Sequence, residues 1–285
     1  MVKLKRTNMY KTGFLLILTV IISFTLNAQV KVMSYNIKYA NETDGENSWS
    51  LRKDFLTNQI KFYQPDIFGV QDAVFLQMEH FSEYLPSYKY VGVGREDGKT
   101  RGEYSAIFYD TTQYNVLDEN TFWLSQTPGK VSVGCDAAME RISTYALFES
   151  KNSGEKFWVF NTHFDHVGEQ ARKESVKLIL SKIAELNIQN LPVILMGDLN
   201  LEPSHESIKF LAENMDDTKC VAKLVFGPEG TFNGYNFNAP VTRRIDYIFT
   251  GKDDFEVLKY AVLSDSWDLK YPSDHLPVYV EFQFK

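Results

Sequence analysis

The sequence predicts an α/β protein of four layers, an α-β-β-α sandwich in which two packed mixed β-sheets carry helices on their outer faces. Three observations carry that expectation. Apolar runs of two kinds occur, a continuous one at 192–196 and a strictly alternating one at 278–284, the marks of strands covered on two faces and on one. The chain after residue 28 begins strand, helix, strand, helix and then turns strand-rich. No proline- or glycine-rich linker, compositional shift or repeat divides it, so a single domain is expected over 29–285.

Residues 1–28 stand apart. Lys3, Lys5, Arg6 and Lys11 precede an apolar run at 14–26, and Ala28 offers a small residue for cleavage. About thirteen largely apolar residues fall short of the roughly 20 needed to span hydrocarbon. A cleaved signal peptide is therefore expected, with a membrane anchor as the alternative. The mature protein should be secreted or periplasmic, monomeric and without stable membrane insertion.

From Gln29 the pattern alternates to Asn36, with Val30, Val32 and Ser34 on one face and Met33 and Tyr35 on the other. Leu51, Phe55, Leu56, Ile60 and Tyr63 recur at helical spacing over 49–63, where Gln64-Pro65 ends the helix. A short buried strand follows at 66–70 and a second helical pattern at 73–85. Further strands are expected at 88–93, 104–109, 115–118, 142–149 and 156–163. The clearest helix spans 168–186, apolar at Ala171, Val176, Ile179, Leu180 and Ile183 and charged on the opposite side. Strand 192–196, a helix at 203–214, and strands at 244–249, 255–263 and 277–284 complete the chain.

The full chain has 30 Lys and Arg against 37 Asp and Glu. Without the four basic residues of 1–28, the balance is 26 against 37, or −11. A field of that sign repels polyanions, and no Lys/Arg run or basic-aromatic interleaving supplies a nucleic-acid track. The charge favours a phosphorylated small molecule or a lipid head group over nucleic acid. Cys135 and Cys220 are too few for a disulfide framework; two separate buried thiols are expected, with one bridge as the alternative.

Chemistry gathers at strand ends. Asn36, Gln71-Asp72, Asn161 with His163, Asp198 with Asn200, Asp246, and Asp274-His275 all end or adjoin candidate core strands. Buried singly, such groups would each cost several kcal/mol, so a common, mutually satisfied cluster is expected. For Asp198 and Asn200 the plainer alternative is capping of the next helix. Oxygen ligands with few thiolates suit Mg²⁺ or Mn²⁺, and Asp72, Asp274 and the Asn36 amide suffice for such an ion. Asp198 and Asn200 can then orient an attacking water, while His163 and His275 stabilise phosphoryl oxygens or move protons.

Six stretches in order, "MSYNI" at 33–37, "GVQDA" at 69–73, "NTHFDH" at 161–166, "MGDLN" at 196–200, "RRIDYIF" at 243–249 and "SDHLPV" at 273–278, resemble the endonuclease/exonuclease/phosphatase (deoxyribonuclease I-like) family. The resemblance covers nearly all of 29–285. It implies a two-sheet sandwich and a metal-dependent phosphoesterase acting on a phosphodiester or phosphomonoester. It also implies roles: Asn36, Asp72 and Asp274 at the metal; His163 as phosphate-oxygen ligand or general acid; Asp198, beside Asn200, positioning or deprotonating water; His275 binding the scissile phosphate, oriented by Asp246. Arg141 resembles a phosphate-contacting arginine of the family, the alternative being a solvated strand-end charge. Asn161 and His166 are placed with it on the substrate side.

Asp72 stands where the family usually has Glu, which withdraws the carboxylate by about one carbon-carbon bond and bears on metal binding. A noncatalytic phospho-ligand module and a secreted nuclease are the alternatives. His80 and His205 read as surface polar residues, Trp158 and 122–124 as core or pocket wall, and Tyr104 as core or a border of the site. The charged stretch 94–103 could gate the pocket.

Overall fold

The structure is a computed structural model and describes residues 29–285; the expected leader at 1–28 lies outside the described residues. In chain order the elements are β1 (Gln29–Asn36), α1 (Trp49–Tyr63), β2 (Ile67–Ala73), α2 (Phe75–Tyr84), β3 (Tyr88–Val91), β4 (Tyr104–Asp110), β5 (Tyr114–Trp123), β6 (Ile142–Ser150), β7 (Lys156–His163), α3 (Glu169–Leu186), β8 (Val193–Asp198), α4 (Glu206–Asn214), β9 (Met215–Asp217), α5 (Thr218–Val221), β10 (Leu224–Phe226), β11 (Asp246–Gly251), β12 (Phe255–Val262) and β13 (Val278–Phe284). One sheet runs β10-β12-β13-β1-β2-β4-β3 and the other β5-β6-β7-β8-β11-β9. Both are mixed: β1 lies parallel to β2, and β7 to β8, among antiparallel neighbours.

Alternation along the central strands builds three apolar layers. Val30 and Val32 of β1 join Ile194 and Met196 of β8 between the sheets. Met33 and Tyr35 face outward to Leu56 and Ile60 of α1 and Met78 and Phe81 of α2. On the far side Leu195 packs with Val176 and Ile179 of α3 and Ile208 and Leu211 of α4. The expected four layers are thus present, and a buried aliphatic side chain contributes about 1.5–3 kcal/mol to them.

Helix α1 has the expected bounds. Gln64, in the left-handed region at φ 46°, closes it by donating its N–H to Ile60 O, and Pro65 forbids continuation. Strand β5 runs well past the expected 115–118. Its middle, Asp118 to Asn120, is exposed on a sheet edge, so polar residues conceal the strand from periodicity. The three-residue strands β9 and β10 and four-residue α5 are too short to leave a period.

Two expectations are overturned. His80 is buried, its Nε2 3.0 Å from Thr57 Oγ1 and its ring stacked on Tyr84 at 4.5 Å. Both cysteines are free and exposed rather than buried: Cys135 sits in a loop, and Cys220 on the outer side of α5. His205 is half-buried and caps α4, its Nδ1 accepting from Ser207 N at 3.1 Å.

Candidate active site

Sheet register assembles the site. Asp198, the last residue of β8, lies opposite His163 across the parallel β7 and opposite Asp246 across the antiparallel β11. The neighbouring Gly197 is required, since a Cβ there would meet Thr162 O at 2.0 Å and its φ is +149°. Across the interface between sheets, Asn36 at the end of β1 donates from Nδ2 to Asp198 Oδ2 at 3.0 Å. Asn200 takes a left-handed φ of 51°, its N–H donating to Asp198 Oδ1 at 2.9 Å. That turn, rather than strand alternation, brings Asn200 beside Asp198, and neither residue caps α4.

Two histidines flank Asp198. His163 has Nε2 3.3 Å from Asp198 Oδ2 and 3.1 Å from Asn200 Nδ2, and Nδ1 3.0 Å from Asp72 Oδ1. His275 has Nδ1 2.9 Å from Asp246 Oδ2 and Nε2 3.8 Å from Asp198 Oδ2. Burial alone would lower the His275 pKa, but the charges of Asp246 and Asp198 hold it up at about 10. Burial pushes the Asp198 carboxyl up, and Asp246 adds to this, against the pull of the two imidazoles. Asp246 orients His275 as the sequence suggested.

Beside His163 lies a second group, one ligand atom each from Asp72, Glu103 and His163 within 4.8 Å of one another. Asp72 sits at an irregularity of the β2–β4 ladder with φ 58°. Burial would raise its pKa, yet His163 holds it below the usual carboxylate range. Glu103 goes the other way: burial first and the Asp72 charge second push it up to about 7, although Arg95 pairs with it. Two carboxylates forced together are relieved by a cation with hard oxygen preferences, so this donor set fits a divalent metal ion. Asp198, Asp246 and His275 also bring one ligand atom each close together, but there an imidazole ion pair already balances one carboxylate.

The chain matches the description "Endonuclease/Exonuclease/phosphatase family" over residues 33–275. It belongs to that family. An uncharacterized protein of Acanthamoeba polyphaga mimivirus is 29% identical over 272 residues, covering 89% of this chain and 100% of that protein. The structure of the mannosyl-6-phosphatase of Bacteroides thetaiotaomicron VPI-5482 is similar at a TM-score of 0.87, with 38% identity over 90% of this chain and 100% of that one. The exoribonuclease subunit Ccr4 of the Mycosarcoma maydis CCR4-Not complex is 23% identical over 336 residues, 89% of this chain and 50% of that protein. The family's phosphoesterases and nucleases are hydrolases, and its enzymes generally depend on a divalent metal.

Several residues differ from the expected family layout. Among the described residues, no bond joins Asp274 to Asp72. Asp274 Oδ2 lies 3.9 Å from Lys38 Nζ and Oδ1 accepts from Ser273 Oγ at 3.4 Å, so Glu103 rather than Asp274 meets Asp72. Asn161 is fully buried and is not on a substrate-facing surface: Nδ2 donates to Val70 O and Ala106 O at 3.0 and 2.8 Å, and Oδ1 accepts from Gln71 Nε2 at 2.6 Å. It ties the two sheets together, in space left by Gly69, where a Cβ would meet it at 2.7 Å. Arg141 is buried, not a solvated strand-end charge, with Nε 3.4 Å from Asp165 and Nη2 3.1 Å from the exposed His166.

Glu103 and Arg95 went unassigned in the sequence because both lie in the charged stretch 94–103. That stretch folds on itself through Gly94 N to Lys99 O and Arg95 N to Glu103 O, and Trp123 Nε1 donates to Arg95 O at 2.8 Å. Its two ends are pinned beside the site. Tyr104 follows with its ring in the outer core and its hydroxyl on Lys99 O. Arg52 of α1 was also missed: fully buried, it donates to the carbonyls of Asn47, Ile37, Lys38, Tyr39 and Pro272, joining the loop after β1 to the one that leads to Asp274 and His275.

Proposed function

We propose that the protein is a Mg²⁺- or Mn²⁺-dependent phosphoesterase that hydrolyses a small phosphorylated molecule. The observation that carries the reading is the meeting of Asn36, His163, Asp198, Asn200 and His275 from both sheets around one carboxylate. Charged His275 binds a phosphoryl oxygen, with Asp246 holding its tautomer and charge. Asp198, its pKa raised, orients the attacking water and accepts its proton. His163, held at one nitrogen by Asp72, donates a proton to the leaving oxygen.

Asp72, Glu103 and Asn36 are the residues that would hold the cation. When bound, such an ion supplies positive charge to the phosphoryl group and lowers the pKa of water. The alternative of a noncatalytic module rested on the short Asp72 side chain; Glu103, arriving at the same place, supports catalysis instead. The acidity of 29–285 and the 38% identity with a mannosyl-6-phosphatase support a sugar phosphate or similar small substrate. Export through residues 1–28 belongs to the same proposal and is supported by their composition.

The test is hydrolysis of sugar phosphates, inositol phosphates, sphingomyelin, RNA and DNA with magnesium or manganese and with chelator. Turnover of a small phosphoester that chelator abolishes, and that Asp198→Ala lowers by about 10³-fold or more, is the expected result. Turnover indifferent to chelator or to Asp198→Ala would refute it.

A further inference from the structure

The Asp246–His275 pair depends on groups outside itself. His275 Nδ1 lies 2.9 Å from Asp246 Oδ2, while Asp246 Oδ1 is buried and has no hydrogen-bond partner. Asp198 differs, accepting from Asn36 Nδ2 at one oxygen and from Asn200 N at the other. Among the described residues, only the imidazole holds the Asp246 carboxylate by a hydrogen bond. The direction of that carboxylate is therefore inherited from the Asp246 backbone, since a side chain in a staggered rotamer follows its Cα.

One side chain holds that backbone. Thr231 is fully buried, and its Oγ1 accepts from Ile245 N at 3.0 Å and from Asp246 N at 3.1 Å. Its carbonyl accepts at 2.7 Å from the N–H of Leu276, the residue after His275. Thr231 is thus bonded to the chain on both sides of the pair. The residues that follow extend the tie. Phe232 bridges to both Arg243 and His275, and Asn233 donates from N to Asp274 O at 2.8 Å and from Nδ2 to Ser273 O at 3.0 Å. Residues 231–233 lie outside the named strands, yet they run as a strut between the approach to β11 and the turn that carries Asp274 and His275.

We propose that the Thr231 hydroxyl is a positioning group: by accepting two successive backbone N–H groups it directs the Asp246 carboxylate at His275 Nδ1, and so sets the orientation of the imidazole that meets the phosphoryl group. The catalytic consequence rests on the phosphoesterase reading above; the effect on the Asp246–His275 hydrogen bond does not. Threonine suits the task. Its β-branch restricts χ1, which fixes Oγ1 relative to the strut, whereas serine keeps the acceptor on a freer rotor. Without an acceptor, two buried N–H groups must find other partners, and the backbone at 245–246 moves to do so. A hydrogen bond tolerates a displacement of only tenths of an ångström, and catalysis is sensitive to one near 1 Å.

The experiment compares the intact protein with Thr231→Ser, which keeps the acceptor, Thr231→Cys, which weakens it, and Thr231→Val, which removes it. Thr218→Val is the control, because Thr218 is equally buried and its Oγ1 donates to Ile248 O at 2.6 Å on the same strand, away from the pair. Thermal unfolding checks that each protein is folded. Proton NMR follows the deshielded imidazole N–H of the Asp246 hydrogen bond, assigned by its loss in His275→Gln, and 4-nitrophenyl phosphate in magnesium gives kcat/KM. Thr231→Val should lose the deshielded signal and about 10–10²-fold in kcat/KM, Thr231→Cys about threefold or more, and Thr231→Ser less than Thr231→Cys with the signal retained. Thr218→Val should keep both. A folded Thr231→Val with signal and kcat/KM unchanged overturns the proposal, as does a fall in Thr218→Val equal to that in Thr231→Val. If Thr231→Val does not fold, Thr231→Cys decides, and behaviour equal to Thr231→Ser overturns the proposal. If no protein hydrolyses the ester, the phosphoesterase reading fails, while the imidazole signal still decides the role of Thr231.

Discussion

The two histidines of the site share Asp198 yet live in opposite surroundings. His275 is 5% exposed, fixed at Nδ1 by the buried Asp246, and its ring edge meets Phe232 at 5.0 Å. One imidazole nitrogen faces one carboxylate oxygen, while the other Asp246 oxygen, Oδ1, is buried without a partner. His163 lies between Asp72 and Asp198, with Glu103 pressed against Asp72 and held up at about 7. That side has a surplus of carboxylate and retains unbonded guanidinium N–H groups nearby. One half of the site is thus organised around a single imidazole–carboxylate pair, whereas the other crowds two carboxylates together beside His163.

Apart from loss of Asp198 itself, breaking the Asp246–His275 pair should have the largest effect. Asp246→Asn removes the charge that raises His275, so the ring loses its proton nearer neutral pH and turnover should fall roughly 10²–10³-fold. The sign follows from the shift. A folded pKa raised from 6.5 to about 10 gives stability that is full below 6.5 and is lost as pH rises through 10. Without Asp246 the alkaline limbs of both activity and stability should move down. A pH-rate profile whose alkaline limb stays in place would show that His275 does not act as a cation.

Arg52 tests whether the two halves are held by one clamp. Arg52→Met would strand the carbonyls of Ile37, Lys38 and Pro272 and should cost roughly 3 kcal/mol of stability. Hydrogen exchange should rise in the loop that follows Asn36 and in the one that carries Asp274, and remain low in β7. Equal loss of protection in β7 would mean that Arg52 supports the whole fold rather than these loops.

The smallest expected effect sharpens the contrast most. In chelator at pH 8, Glu103→Gln removes a carboxylate that the fold disfavours and should raise stability by roughly 1–2 kcal/mol. The sign again follows from a raised folded pKa: the Glu103 contribution is favourable below about 4.5 and is lost as pH rises through about 7. The same change should weaken the stabilisation given by added magnesium or manganese. Thermal unfolding with and without each ion measures both; a variant destabilised in chelator would show that the Arg95 ion pair outweighs the repulsion.

Sequence reading went furthest where information is local. The bounds of α1 follow from helical spacing and from Gln64-Pro65, and the layer assignments of Val32 against Met33 follow from alternation. Polar groups at strand ends marked Asn36, His163, Asp198, Asn200, Asp246 and His275, which the fold does bring together. Asn161 carried the same mark and proved to be a tie between sheets, because an amide at a strand end looks alike whether it meets a ligand or another strand's carbonyls. Glu103 and Arg95 were hidden in a stretch read as a whole, as a charged loop that could gate the pocket, and its fold, pinned by Trp123 at Arg95 O, brings Glu103 beside Asp72 and His163.

By itself the sequence determined where most of the longer strands and helices lie, which faces they bury and which residue types stand at their ends, since these depend on neighbours a few positions away. Tertiary structure alone decided that Asp198 sits opposite both His163 and Asp246, that Asp72 meets Glu103 instead of Asp274, and that Arg95 and Arg141 share a crevice. Those pairings depend on register between strands far apart in sequence, and a one-residue slip would exchange the buried and exposed faces without altering the apolar pattern.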